Sequence, residues 1–167
     1  QISSVYSMTR RFDSELEYAI QADKYFNKSD STPFINYSKL TLARAYYNNE
    51  EYDTAIRYAE KALRISEKNS DETLYINASL IIIDSYCWKA EYERAINIYE
   101  KIENMFDVSM FGNTLALIGD AYVYTGQREK ASNVCDLAYK HNSLSLISLR
   151  SEIAANSGDY KTAYINL

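Results

Sequence analysis

Residues 45–63 read "AYYNNEEYDTAIRYAEKAL", and residues 85–103 read "SYCWKAEYERAINIYEKIE". In both, a tyrosine-bearing apolar stretch runs into a short polar turn and then into a new amphipathic run. Tyr46 matches Tyr86, Tyr52 matches Tyr92, Ala55 matches Ala95 and Ile56 matches Ile96, each 40 residues apart. Aligned on the alanine that follows the turn, the register extends to Ala131 and Ala163, at spacings of 40, 36 and 32. Nine residues before that alanine stand Tyr46, Tyr86, Tyr122 and Ala154, and three before it Tyr52, Tyr92, Arg128 and Tyr160. Five before it, in the turn itself, stand Glu50, Ala90, Gly126 and Gly158. Seven after the first three come Ala62, Ile102 and Ala138. A worn fifth copy precedes these, in Tyr6, Arg10, Phe12, Glu15 and Ala22.

A period of this size marks stacked units that bury their apolar faces only against their neighbours. Each copy reads as two helices of 3.6-residue periodicity joined by a short turn. Leu42, Ala45 and Tyr46 form one stripe, and Ile56, Ala59 and Leu63 form the next. Ala55, Ala59 and Ala62 are short where two helix axes must approach closely. Tyr46 and Tyr52 then fill the space beside that contact, with hydroxyls able to reach its rim. Pro33 suits the first turn of a helix, and Ser70 with Asp71 offers a cap for another.

Composition agrees with a folded all-helical chain. Apolar residues make up 47% and charged residues 25% of the 167, so a core can form. One proline and four glycines are too few for the turns of an all-β domain. A net charge of -5 argues against a nucleic-acid footprint, which needs clustered Lys and Arg. The most apolar run, "LIIIDSYCW" at 80–88, is broken by Asp84 and falls far short of the about 20 residues of a membrane span. No basic amphipathic face suggests membrane binding. The compartment is left open.

The pattern resembles the tetratricopeptide repeat family over nearly the whole chain. That family's helix-turn-helix unit has small residues where Ala43, Ala55, Ala62, Ala95, Gly119, Ala131 and Ala138 stand. It has aromatics where Tyr46, Tyr52, Tyr86, Tyr92, Tyr99 and Tyr122 stand, and "IGDAYVYTGQREKA" at 118–131 is the best match. Departures are a period longer than the family's about 34 residues, Asn27, Glu67, Asp107 and Ser143 in place of its closing proline, and Ile83 in a small-residue place. The longer periods imply helices or connections extended by a turn or so. The resemblance implies a right-handed α-solenoid of about five repeats in one array, at 1–28, 33–68, 71–106, 109–142 and 144–167.

The inventory for catalysis is thin, and the expectation is a chain that is not an enzyme and holds no cofactor or metal. His141 stands where a helix ends and reads as a C-terminal cation rather than a general base. The glycines form no phosphate loop, and no serine sits in a nucleophile elbow. Cys87 and Cys135, without a histidine or cysteine neighbour, read as small buried residues.

In the family, the first helix of each pair lines a concave groove that holds peptides or partner helices. The matching columns here are Arg44, Asp84, Asp120 and Glu152; then Tyr47, Cys87, Val123 and Ala155; then Asn48, Trp88, Tyr124 and Asn156. Leu40, Leu80, Ala116 and Ser148 lie four residues before the first column. Candidate partner contacts are therefore Arg44, Tyr47, Asn48, Asp84, Trp88, Asp120, Tyr124, Glu152 and Asn156. Three acids against one arginine disfavour an acidic terminus and select a neutral or basic segment. Two readings of the acids stand, ligand selection and plain solubility of the groove. Two likewise stand for Trp88, a partner anchor and packing between repeats.

The function implied is a non-catalytic scaffold that binds a protein or peptide. The alternative is a sensory or regulatory module of a larger bacterial signalling or cell-envelope protein. The chain opens inside a helix at "QISSVYSM" and stops early in another at "DYKTAYINL", leaving Tyr160, Ala163, Ile165 and Leu167 uncovered. The expectation from this is a longer polypeptide, or self-association through the ends.

Overall fold

The computed structural model describes residues 2–26, 32–108 and 111–140. Among them are seven α-helices and no strand: α1 Ile2–Phe26, α2 Thr32–Asn48, α3 Tyr52–Asn69, α4 Glu72–Trp88, α5 Tyr92–Glu103, α6 Gly112–Tyr124 and α7 Arg128–Lys140. His141, Glu152, Asn156 and the residues expected at the C-terminal edge lie outside the described residues. The chain divides into two compact units, Gln1–Ser85 and Tyr86–Leu167.

Three of the helix-helix turns are built alike. After α2, α4 and α6 the backbone turns left-handed at Glu50 (φ 62°), Ala90 (φ 56°) and Gly126 (φ 77°). The Glu50, Ala90 and Gly126 amides donate to the Tyr47, Cys87 and Val123 carbonyls at 2.9, 2.9 and 3.0 Å. The next amides, of Glu51, Glu91 and Gln127, reach back to the carbonyls of Tyr46, Tyr86 and Tyr122 at 2.9, 2.9 and 2.8 Å. This is the Schellman arrangement, which satisfies carbonyls that a helix end otherwise leaves unpaired. The following helix starts at once, with the amides of Ala55, Ala95 and Ala131 donating to the carbonyls of residues 51, 91 and 127. The periodic tyrosine and alanine of the sequence thus mark the two sides of one repeated turn.

In the first unit α1 packs on α2, and α2 on α3. Ala43, Ala45, Ala55, Ala59 and Ala62 have no solvent exposure, so the short side chains do stand at the close contact. Leu42, Ala45 and Ala19 form a buried cluster, flanked by Leu16, Tyr46 and Tyr58. Each large apolar side chain removed from water here contributes about 1.5–3 kcal/mol. Tyr46 stacks on Tyr58 with ring centroids 5.4 Å apart. Between α1 and α2, Asp23 accepts from the Ser38 hydroxyl and the Lys39 ammonium, both at 2.6 Å.

Ser70 ends α3 in the left-handed region, and Asp71 Oδ1 accepts the Leu74 amide at 2.9 Å to cap α4. Ile83 is fully buried, so this unit fills a family small-residue place with a larger side chain. The buried Ser85 hydroxyl donates to the Ile81 carbonyl at 2.6 Å, which meets its hydrogen-bonding need inside an apolar run.

In the second unit α5 packs on α6, and α6 on α7. Ala95, Leu115, Ile118, Ala121 and Ala131 have no exposure, and Gly119 is buried with them. Cys87 and Cys135 are both buried thiols, as expected, and Cys87 Sγ donates to the Leu117 carbonyl at 3.7 Å. The extra length of the repeats has two sources. The 40-residue spacing from Ala55 to Ala95 comes with α3 of 18 residues and α4 of 17. The 36-residue spacing from Ala95 to Ala131 has helices of 12 and 13 residues, with the stretch 104–111 between them.

Candidate partner-binding surface

In the first unit the sequence-expected residues are Arg44, Tyr47 and Asn48 on α2 and Asp84 on α4. Arg44 is exposed, three residues before Tyr47 on the same helix. Tyr47 is half-buried and tilts against Tyr52 across the turn, with ring centroids 5.9 Å apart. Burial, and next the charge of Glu50, hold the Tyr52 phenol above its usual pKa. The Asn48 carboxamide donates to the Glu15 carboxylate at 3.4 and 3.5 Å. Glu15 belongs to α1 and was read from the sequence as a position of the worn copy, not as a partner of Asn48. Asp84 is half-buried, with its Oδ1 shielded from solvent.

The second unit brings Trp88, Asp120 and Tyr124 to the ends of α4 and α6. Trp88 is the chain's only tryptophan and is 58% exposed; Tyr124 is 72% exposed. Both stand at the last helical residue before a Schellman turn, the place of Asn48 in the first unit. Tyr124 stacks face to face on Tyr92, with centroids 4.9 Å apart and planes 4° from parallel. Tyr92 opens α5, across a three-residue turn from Trp88. Burial, then Tyr124, then Cys87 and Asp120, raise the Tyr92 phenol pKa, which places the Asp120 charge within reach of this aromatic pair.

A cleft of about 320 Å³ in the second unit gathers groups that sequence reasoning passed over. Glu100 Oε1 accepts from Lys130 at 2.6 Å and from the Tyr122 hydroxyl at 3.3 Å. The Lys130 hydrogen bond is the main cause that holds the Glu100 carboxyl below its usual pKa. Tyr99 donates to Glu103 at 3.1 Å and meets the Tyr122 ring edge to face, with centroids 6.4 Å apart. These groups engage one another across α5, α6 and α7, and their roles are bracing ones. Glu100 and Lys130 stand 30 residues apart, so no local pattern could announce them.

With this geometry in view, the likeness to known proteins is specific. Residues 38–69, the end of α2 and all of α3, match the tetratricopeptide repeat family. The whole chain also resembles solved structures of that kind. BtubC (BKLC) from P. vanneervenii is 14% identical with a TM-score of 0.74, covering 99% of this chain and 72% of its own. A Podosopora anserina protein of kinesin-light-chain type, with nearly identical TPR-like repeats, is 15% identical with a TM-score of 0.73, at 99% and 88% coverage. MamA (MSR-1) is 16% identical with a TM-score of 0.64, at 99% and 93% coverage. No curated protein is matched by the sequence. The fold is therefore an all-α helical-repeat solenoid of tetratricopeptide type. Among the described residues no helix is long and apolar enough to cross a membrane.

Proposed function

We propose that this chain is a non-catalytic repeat scaffold that binds a protein or peptide segment, neutral or basic, on the face of its first helices. Tetratricopeptide repeats are interaction modules, and that class supports the reading. The observation that carries it is the solvent exposure of Trp88 and Tyr124 at equivalent places of the repeat, with Asp120 one turn before Tyr124 on α6. Fold stability does not require these two rings, since most of each lies in water. A partner that covers them removes roughly 100 Å² of apolar area from each, worth about 2–3 kcal/mol per ring before the costs of association. Rings of this kind, central and amphipathic, are the usual anchors of protein interfaces.

The acids set the sign of the partner. Asp120 in one unit and Asp84 in the other occupy the same column, in a chain of net charge -5. Their attraction for a basic segment is screened over about 8 Å at physiological ionic strength. Arg44, Tyr47 and Asn48 supply the corresponding contacts in the first unit, with Glu152 and Asn156 continuing the columns.

The test is selection from a displayed peptide library against the whole chain, with the fluorescence anisotropy of labelled peptides as the titration signal. Neutral and basic peptides should be enriched, bind more weakly in added salt, and lose affinity with Trp88→Ala. Capture of acidic C-terminal peptides, undiminished by Asp84→Ala or Asp120→Ala, would overturn the reading.

A further inference from the structure

We infer that the outer ring face of Tyr124, beside the Asp120 carboxylate, is a seat for a guanidinium side chain of the bound partner. The inference rests on the reading of this surface as partner-binding and names the group that it recognises there.

Three other tyrosine rings each carry a cation. Tyr58 carries Lys61 at 4.5 Å and Arg57 at 5.6 Å from its centroid. Tyr86 carries Arg94 at 5.5 Å, and Tyr122 carries Lys130 at 5.5 Å. At each, a cation of the same unit is drawn to the negative face of the ring. Tyr124 differs. One of its faces lies on Tyr92, and 72% exposure leaves the other to solvent. The basic side chains of the neighbouring turn are held elsewhere, for Lys89 and Arg94 both pair with Glu91, at 2.5 and 2.8 Å. Among the described residues Tyr124 is thus an outward-facing ring, stacked on one side, with no cation of the chain over its other face.

Asp120 adds the second half of the seat. It stands four residues before Tyr124 on α6, so the two side chains rise from the same helix face. Its charge also reaches the Tyr92 hydroxyl beneath the stack. A planar guanidinium lies parallel to an aromatic face and can direct its N–H groups at a carboxylate, whereas an ammonium is a rounder, more strongly hydrated charge. The ring alone should contribute about two- to fivefold in affinity, and the carboxylate more.

The experiment uses the whole chain and two small probes, N-acetylarginine amide and its uncharged isostere N-acetylcitrulline amide, followed by the ring proton shifts of Tyr124 and, in every variant including those that lack the ring, by saturation transfer from the protein to the probe. Saturable shifts at millimolar arginine probe are expected, with citrulline at least about fivefold weaker. Tyr124→Leu and Asp120→Asn should each weaken the arginine probe, while Tyr124→Phe should retain it. Because Tyr124 is exposed, circular dichroism should find these variants folded. Equal binding of the two probes, no saturable shift, or full binding by Tyr124→Leu would each overturn the inference. Library selection separates it from the broader reading. Peptides that need Trp88 but show no arginine enrichment sink the guanidinium seat alone, and failure to capture any peptide sinks both.

Discussion

Ala90→Gly and Gly126→Ala exchange the residues of two equivalent left-handed turns, and their effects should be opposite in sign. Alanine at φ 56° holds its Cβ against the following carbonyl, at a cost of about 1–2 kcal/mol. Glycine removes that cost but adds about 0.4–1 kcal/mol of unfolded-chain entropy. The net expectation for Ala90→Gly is a gain of about 0.5–1 kcal/mol. At Gly126 a Cβ would meet nothing within 4 Å, so no clash enters and the backbone term stands alone. Gly126→Ala should then lose about 1 kcal/mol, and the double exchange should come close to cancelling.

Urea unfolding of each variant gives the overall sign. Hydrogen exchange of the Glu91 and Gln127 amides, which close the two turns on Tyr86 and Tyr122, gives the local one. In a repeat array, where each unit leans mainly on its neighbours, the local signal should move first. A stabilised Gly126→Ala or a destabilised Ala90→Gly would refute the claim that the left-handed backbone limits these turns. So would an exchange effect spread evenly over both units.

Three further outcomes follow from the packing. Ala95→Asp puts a carboxylate at a fully buried helix contact and should cost roughly 3 kcal/mol or more, read as a lowered urea midpoint. Asp71→Ala removes the acceptor for the Leu74 amide and should cost about 1 kcal/mol, with faster exchange at that amide. Burial, then the charge of Glu103, push the Tyr99 phenol up, and burial with Glu100 does the same for Tyr122. Unfolded phenols ionise near about 10, so this stability is intact below that pH and is lost as pH rises above it. The urea midpoint should begin to fall near about pH 10 and keep falling as pH rises further, and Tyr99→Phe should make the fall shallower.

The register was legible because it is local. A tyrosine, a turn and an alanine recur within ten residues, and the structure makes them the carbonyl that receives the turn, the turn, and the first amide bonded beyond it. The turn column was legible too, with Glu50 and Ala90 where later copies carry glycine, and the structure adds that Glu50, Ala90 and Gly126 are left-handed there. What was not legible depends on residues brought together by packing. Asn48 was expected to face a partner, yet its carboxamide is bonded to Glu15, 33 residues earlier. Tyr92 was placed among the repeat aromatics, and nothing local announces that Tyr124, 32 residues later, stacks on it. The bracing of Glu100 by Lys130 and Tyr122 likewise joins three helices.

These two classes of information meet at one position. The last helical residue before each turn is Asn48, Trp88 or Tyr124, and the Schellman hydrogen bonds fix the backbone on its C-terminal side in the same way each time. The side chain there contributes nothing to closing the turn, because every bond of the motif is made by backbone. Its identity is therefore released from the demands of the fold, and it varies from amide to indole to phenol while the flanking tyrosine and alanine persist. A repeat protein that distinguishes one partner from another must do so at positions of this kind, held rigidly but chemically free. Replacing Tyr124 by Asn, the residue of the first unit, should leave the Gly126 turn and its exchange rates unchanged while weakening arginine-probe binding about two- to fivefold. A loss of turn protection in Tyr124→Asn would show that side chain and turn are coupled, and would remove the basis for assigning recognition to this column.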